Sequence, residues 1–300
     1  MSQASLRVTV LAGGPSAERE VSLESGRAVA DALRRRGHQV AVADIAPDNL
    51  SALDAPADVV FPALHGPFGE DGQLQGILER RRIPFVGSGA DASAIAMDKV
   101  ASKRCAIELG IRTSDFEVLE PGQQPTLVPP VVVKPIDQGS SVGVQIVREE
   151  AALRAAVDAA TRRFRRAMVE RFVEGDEITV GIVENRPLPP ICVRPKSAFY
   201  DYHAKYHDDR TEYLFDTGLS AAALASVSRD SLRLFERLGC RHLGRVDWIV
   251  DRAGVPHFLE INTLPGFTAH SLTPMAAARA GVPFDQLVDQ LVRMALKDRG

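Results

Sequence analysis

The sequence predicts a mixed α/β and α+β protein in three segments, and three observations carry that reading. Between residues 6 and 87, apolar strand-like runs alternate with helix-like stretches, the pattern of a parallel sheet with crossover helices. From about residue 88 the texture changes to a helix, a Pro- and Gln-bearing stretch "EPGQQPTLVPP", and the apolar run "VVVKP" opening a glycine-serine loop. A long polar-aromatic stretch, a helix, a hairpin pattern and C-terminal helices make up the rest. The expected domains are residues 1–87, 88–183 and 184–300.

In the first segment "LRVTVLA" reads as a strand, and the helix after "GGPSAERE" ends in a basic last turn with Gly37 just beyond it. "HQVAVAD" and "DVVFPAL" are the next strands, followed by a helix near 72–82 and a further strand, "IPFVG". In the second, "DASAIAMDKVASKRCAIELG" reads as one helix, with a later helix near 149–162 and strands at 167–173 and 177–183. The third holds a helix at 219–238 and a hairpin at 243–261.

Composition excludes several classes. A chain that is 45% hydrophobic and 25% charged is ordinary for a soluble protein with a sizeable core. A formal net charge of −3 offers no basic excess, and the arginine runs 34–36 and 80–82 complement helix C-termini, so no nucleic-acid partner is expected. Cys105, Cys192 and Cys240 are odd in number and widely spaced, against a disulfide framework or a thiolate zinc site. With neither a signal peptide nor an apolar span read in the sequence, the expectation is a cytoplasmic protein with no membrane partner.

The stretch "HFLEINTLPGFTAHSL" carries Glu260 and Asn262 into a Pro-Gly turn. Residues two apart on a strand share a face, and a turn at 252–254 would set Asp247 opposite Leu259 or Glu260. Two carboxylates and an amide oxygen suit Mg²⁺, a hard cation, and not zinc; the alternative is a hairpin of solvent-facing acids. A second constellation, "VVVKPIDQGSSVGV", delivers Lys134 into a loop with Ser140 and Ser141 that could wrap phosphate oxygens. Because the lysine precedes the glycines it is not a Walker motif, and alone it is compatible with a plain turn. In "VERFVEGDEITV", Glu170 could accept from an adenine amino group, the backbone of Arg171 and Val173 could read the base edge, and Glu177 could hold ribose hydroxyls. Exposed strand acids are the plainer reading of that segment. His65 follows a strand and precedes Gly66, as either a site residue or a satisfied loop histidine.

In their order, Lys99, Lys134 before "QGSSVG", "VERFVEGDE", Asp247 and "EINTLPG" resemble the ATP-grasp ligases. "GGPSAEREVSLESG", "ALHGPFGEDGQLQG", "GSGADASAIAMDK", "FYDYHAKY" and "EINTLPGFTAHSL" narrow the resemblance to the D-alanine–D-alanine ligases, over almost the whole chain. That resemblance implies an ATP-grasp fold, with two α+β lobes enclosing ATP beside an N-terminal α/β domain. It implies ATP and two Mg²⁺ (or Mn²⁺) as cofactors, D-alanine as substrate, a peptidoglycan precursor as product and a homodimer.

The same resemblance assigns roles. Lys99 and Lys134 would bind ATP phosphates, with Ser141 among the ATP contacts, and Asp247, Glu260 and Asn262 would hold the metal ions. Glu18 would receive the first D-alanine's ammonium, aided by His65. Arg245 and the Gly266 backbone would stabilise the oxyanion. Ser271 and Lys205 would meet the second substrate's carboxylate or the transferred phosphate, with Leu272 beside Ser271, and Ser140 and Tyr206 would latch a lid formed by residues 197–218. Departures from the family pattern are His203 before "AKY", "FDTGL", and Asp137 with Gln138 in the phosphate loop. A depsipeptide ligase making D-alanyl-D-lactate and a catalytically inactive nucleotide-binding homologue are the alternatives; Tyr206 disfavours the first and the complete metal set the second.

Overall fold

The structure, a computed structural model, describes residues 4–194, 211–268 and 271–298. Three sheets organise those residues. In the first, β1 (Arg7–Leu11) lies between β2 (Gln39–Ala43) and β3 (Val59–Pro62), all parallel. The crossover from β1 to β2 is α1 (Arg19–Arg35), whose Val29, Ala30 and Leu33 pack on Val8, Val10 and Phe61. The expected strand "IPFVG" reduces to a single bridge between Val60 and Phe85, and α2 (Gln73–Arg80) precedes it.

The expected single helix over "DASAIAMDKVASKRCAIELG" is two, α3 (Ala90–Met97) and α4 (Lys99–Glu108). Asp98 causes the break: its backbone is extended, and its carboxylate accepts from the N–H groups of Val100 and Ala101 as the N-cap of α4. Lys99 thereby opens a new helix instead of lying inside a long one, and its N–H bonds to Ile136 O beside the phosphate loop.

The second sheet is antiparallel, in the order β4 (Phe116–Leu119), β7 (Ala167–Arg171), β5 (Val131–Lys134), β6 (Gln145–Val147). Its Val131 and Val133 face α5 (Glu150–Phe164), leaving Val132 and Lys134 for the other side. In the third sheet the path is β11 (Glu212–Leu214), β10 (Ile191–Arg194), β8 (Gly175–Val183), β12 (Leu243–Asp251), β13 (Pro256–Asn262), with β9 (Arg186–Pro187) on β8. β8 pairs with β12 along its whole length, and the chain passes from the second sheet to the third between Arg171 and Gly175. Likewise α3 and α4 pack under the third sheet, Ala96 and Ala106 joining Ile178, Val180 and Trp248 in one core.

Helix α6 (Ala221–Arg237) covers the inner face of that sheet, where Trp248 Nε1 donates to Ser231 Oγ at 2.9 Å. After β13 the chain forms α7 (Leu272–Arg279) and α8 (Phe284–Lys297) and returns to the first sheet. Leu287, Val288 and Leu291 of α8 are buried against the α1 and β1 side chains, so the N-terminal unit is completed by residues from the far end of the chain. No helix among the described residues is long and apolar enough to cross a membrane.

Candidate active site

The hairpin β12–β13 delivers its acids as its register dictates. Asp247 lies opposite Glu260 and Arg245 opposite Asn262, ahead of a bulge between Asp247 and Trp248. On the other side Asp247 pairs with Thr179 of β8. Side chains opposite one another share a face, so Thr179, Asp247, Glu260, Arg245 and Asn262 project together. Asp247 accepts from Thr179 Oγ1 at 2.5 Å and takes Arg245 in a fork, with Nε at 3.0 Å and Nη2 at 2.9 Å. The Lys99 ammonium lies 3.2 Å from Glu260 and donates to Gln138 O at 2.7 Å. Asn262 Oδ1 caps the following turn by accepting from Leu264 N–H.

Between the second and third sheets runs a cleft of about 300 Å³. Its walls are apolar, Val132 and Ile146 on one side and Ile249 and Leu259 on the other, which suits a flat base. Lys99, Lys134, Ser141, Glu170, Arg171, Val173, Glu177 and Glu260 all line it, bringing together every described residue expected at the nucleotide. Two of these residues already have protein partners. The Glu170 carboxylate is buried and engaged by Lys134 at 2.5 Å, Lys103 at 3.0 Å and Ser114 Oγ at 3.0 Å. Burial alone would raise its pKa, but the two ammonium groups outweigh that and pull it to about 2. The N–H of Arg171 donates to Asp115 O at 2.9 Å.

A second group meets beside Ser141 of the phosphate loop, against the first sheet. Glu18 sits at the N-terminus of α1, where the helix dipole favours a carboxylate, and it accepts from Ser140 Oγ of the phosphate loop. Gly66, at φ +72°, lets the backbone lie against that carboxylate: a Cβ there would come within 2.9 Å of Glu18 Oε2. His65 is buried with Nδ1 3.1 Å from Glu70 Oε1 and Nε2 3.4 Å from Ser25 Oγ. Burial disfavours its charge, and Arg245 does too, but Glu70 with help from Glu18 raises its pKa on balance. Both ring nitrogens thus face protein groups, and His65 braces the loop more than it faces solvent. Ser25 also accepts from Phe267 N–H, tying this group to the turn after β13.

In that turn Ser271 Oγ accepts from Thr268 N–H at 2.8 Å, and Gly266 packs so closely that a Cβ would lie 2.9 Å from Ser271 Oγ. Leu272 opens α7, its side chain packed against Val193 and Tyr213, which leaves its backbone as the group able to face the site. Lys205, Tyr206 and His203 lie outside the described residues, and so does the expected latch from Tyr206 to Ser140. Lys103 was missed from the sequence, although its place one helical turn after Lys99 puts both lysines on one face.

A family model described as D-ala D-ala ligase C-terminus matches residues 109–293, and one described as D-ala D-ala ligase N-terminus matches residues 46–88. The chain is 44% identical over 290 residues to a D-alanine–D-alanine ligase of Syntrophotalea carbinolica, covering 95% of each chain. To one of Pelobacter propionicus it is 44% identical over 298 residues, 97% of this chain and 96% of that one. Among solved structures, the D-alanine–D-alanine ligase from Bacillus anthracis complexed with ATP matches with a TM-score of 0.84 at 31% identity, covering 98% of this chain and 99% of that one. The sheets and their cleft are the ATP-grasp fold of those neighbours. On its sequence and its fold alike, the chain belongs to the D-alanine–D-alanine ligase family.

Proposed function

We propose that the chain joins two molecules of D-alanine into D-alanyl-D-alanine, converting ATP to ADP and phosphate by way of an acyl phosphate. The observation that carries this is the meeting of two sites in one loop: Ser141 lines the cleft with Lys99, Lys134, Glu177 and Glu260, its neighbour Ser140 donates to Glu18, and Asp247 lies opposite Glu260 on the hairpin. A nucleotide in the cleft would then have its phosphates toward the metal and lysine side chains, and an amino acid held by Glu18 would have its carboxylate toward the phosphates.

A carboxylate is a poor electrophile, and two anions must approach for it to be phosphorylated. Lys99 and Lys134 offset that repulsion. Glu18 is a fixed partner for the first substrate's ammonium. When the second amine attacks, negative charge develops on the carbonyl oxygen, and Arg245 with the Gly266 N–H would receive it. Asp247, Glu260 and Asn262 form an all-oxygen donor set on adjacent strands, already balanced by Arg245 and Lys99, that fits Mg²⁺. Bound there, Mg²⁺ would neutralise phosphate charge. The expected lid residues Lys205 and Tyr206 lie outside the described residues.

The test is ADP release from purified protein with Mg²⁺-ATP alone, with D-alanine, and with D-alanine plus D-lactate. The expected result is ADP release that requires D-alanine and yields the dipeptide, unchanged by D-lactate. Release without D-alanine, no release at all, or an ester product would overturn the reading.

A further inference from the structure

The Lys103 side chain is wholly enclosed, yet it takes no part in the roles above. Its ammonium donates to Thr113 Oγ1 at 2.5 Å and to Phe258 O at 3.3 Å, and lies 3.0 Å from Glu170 Oε2. A charge so deeply buried persists only where partners replace water. Those partners come from both walls of the cleft: Glu170 from the second sheet and Phe258 from the third. Lys103 itself does not line the cleft, whereas Glu170 and Lys134 do.

The bonding is directional. Glu170 Oε2 is held by Lys103 and Ser114, which leaves Oε1 to hold Lys134 at 2.5 Å. One carboxylate between two ammonium groups leaves the cluster with a single net positive charge beside the cleft. Without Lys103 the cluster would be neutral, and Glu170 would be released to pair with Lys134 alone.

We propose that Lys103 is a positioning residue for the nucleotide: by fixing Glu170 it aims the Lys134 ammonium into the cleft and leaves its charge available to phosphate. This rests on the reading of the cleft as the ATP site. Its effect therefore passes through Glu170 and falls on ATP, not on D-alanine.

A double-mutant cycle on full-length protein tests this, with the Mg²⁺-ATP Kd measured by calorimetry and the D-alanine KM by turnover. Lys103→Met should raise the ATP Kd about tenfold, as coupling within one buried network allows, while the D-alanine KM stays within about twofold. In the Glu170→Gln background, Lys103→Met should add less than about twofold, and the double variant keeps the cluster's net charge. If Lys103→Met does not fold, Lys103→Gln, which retains a donor to Glu170, replaces it in the cycle. Additive effects on ATP, or equal losses for ATP and D-alanine, would reduce Lys103 to a structural bond and overturn the proposal. Wild-type protein that binds no ATP would overturn the cleft assignment as well, and that outcome separates the two failures.

Discussion

Glu260 and Asp247 face one another across a hairpin, and each is answered by a cation, Lys99 for the first and Arg245 for the second. Two acids placed by register on one sheet face, with lysine and arginine beside them, make a site whose charges can rearrange when phosphate and metal arrive. Glu260→Gln keeps the shape and removes one charge. Turnover should fall roughly a hundredfold or more, the scale of several kcal/mol of charge stabilisation, with the melting temperature unchanged within a few degrees. Near-normal turnover at saturating Mg²⁺ would remove Glu260 from the site. Glu18 gives a second contrast. Glu18→Gln should raise the D-alanine KM far more than the ATP KM, because its carboxylate is anchored by Ser140 at the substrate end and not in the nucleotide cleft. Equal effects on both constants would count against that division.

The break between α3 and α4 shows how an element can matter more than the residues it carries. Nothing but Asp98 interrupts the two helices, and the stretch has no glycine or proline at the break. Asp98→Ala should lower stability by about 1 kcal/mol, the usual worth of an N-cap, and should weaken ATP binding because Lys99 is the first residue of the helix it caps. Unchanged ATP affinity alongside the lost stability would separate the cap from the site. From sequence this break was hard to see: an aspartate within helix-forming residues is a common surface position, and the glutamate or glutamine that completes a capping box is absent, Ala101 standing there. The hairpin was legible because period-two alternation and a turn near Gly254 fix which residues oppose one another. The placement of β8 was not legible, since nothing local tells a strand which of two sheets it will join. The ion pair of Glu170 with Lys103 was not legible for a related reason: Lys103 comes from a distant helix.

At the scale of the molecule, the chain's end secures its beginning. Asp289 of α8 accepts from His38 Nε2 at 2.8 Å, from Arg36 at 3.1 Å and from Arg293 at 2.8 Å, while Leu6 N–H donates to His38 Nδ1. The buried histidine thus links the first strand to the last helix, under the first sheet that supports Glu18 and His65. Asp289→Ala would leave His38 Nε2 without this partner and should cost about 1–3 kcal/mol, read as a lower denaturant midpoint. Burial tends to raise the Asp289 pKa, but the bonds from His38 and Arg36 outweigh it and hold it below the usual aspartate range. A group depressed on folding contributes stability that is fully present above its unfolded pKa and is lost as pH falls from there through the folded value. The difference between wild type and Asp289→Ala should accordingly be constant at neutral pH and shrink below about pH 3.8. A gap that persists unchanged into stronger acid would show that the carboxylate charge is not its source.

The central claim is that the paired sites activate a carboxylate on ATP before joining it to an amine. D-Alanine labelled with ¹⁸O in its carboxylate tests this most directly, with mass spectrometry of the phosphate released. If the carboxylate attacks the γ-phosphorus, one of its oxygens leaves with the phosphate when the second amine displaces it. The expected result is one ¹⁸O in the phosphate for each dipeptide formed; dipeptide accompanied by unlabelled phosphate would contradict the account.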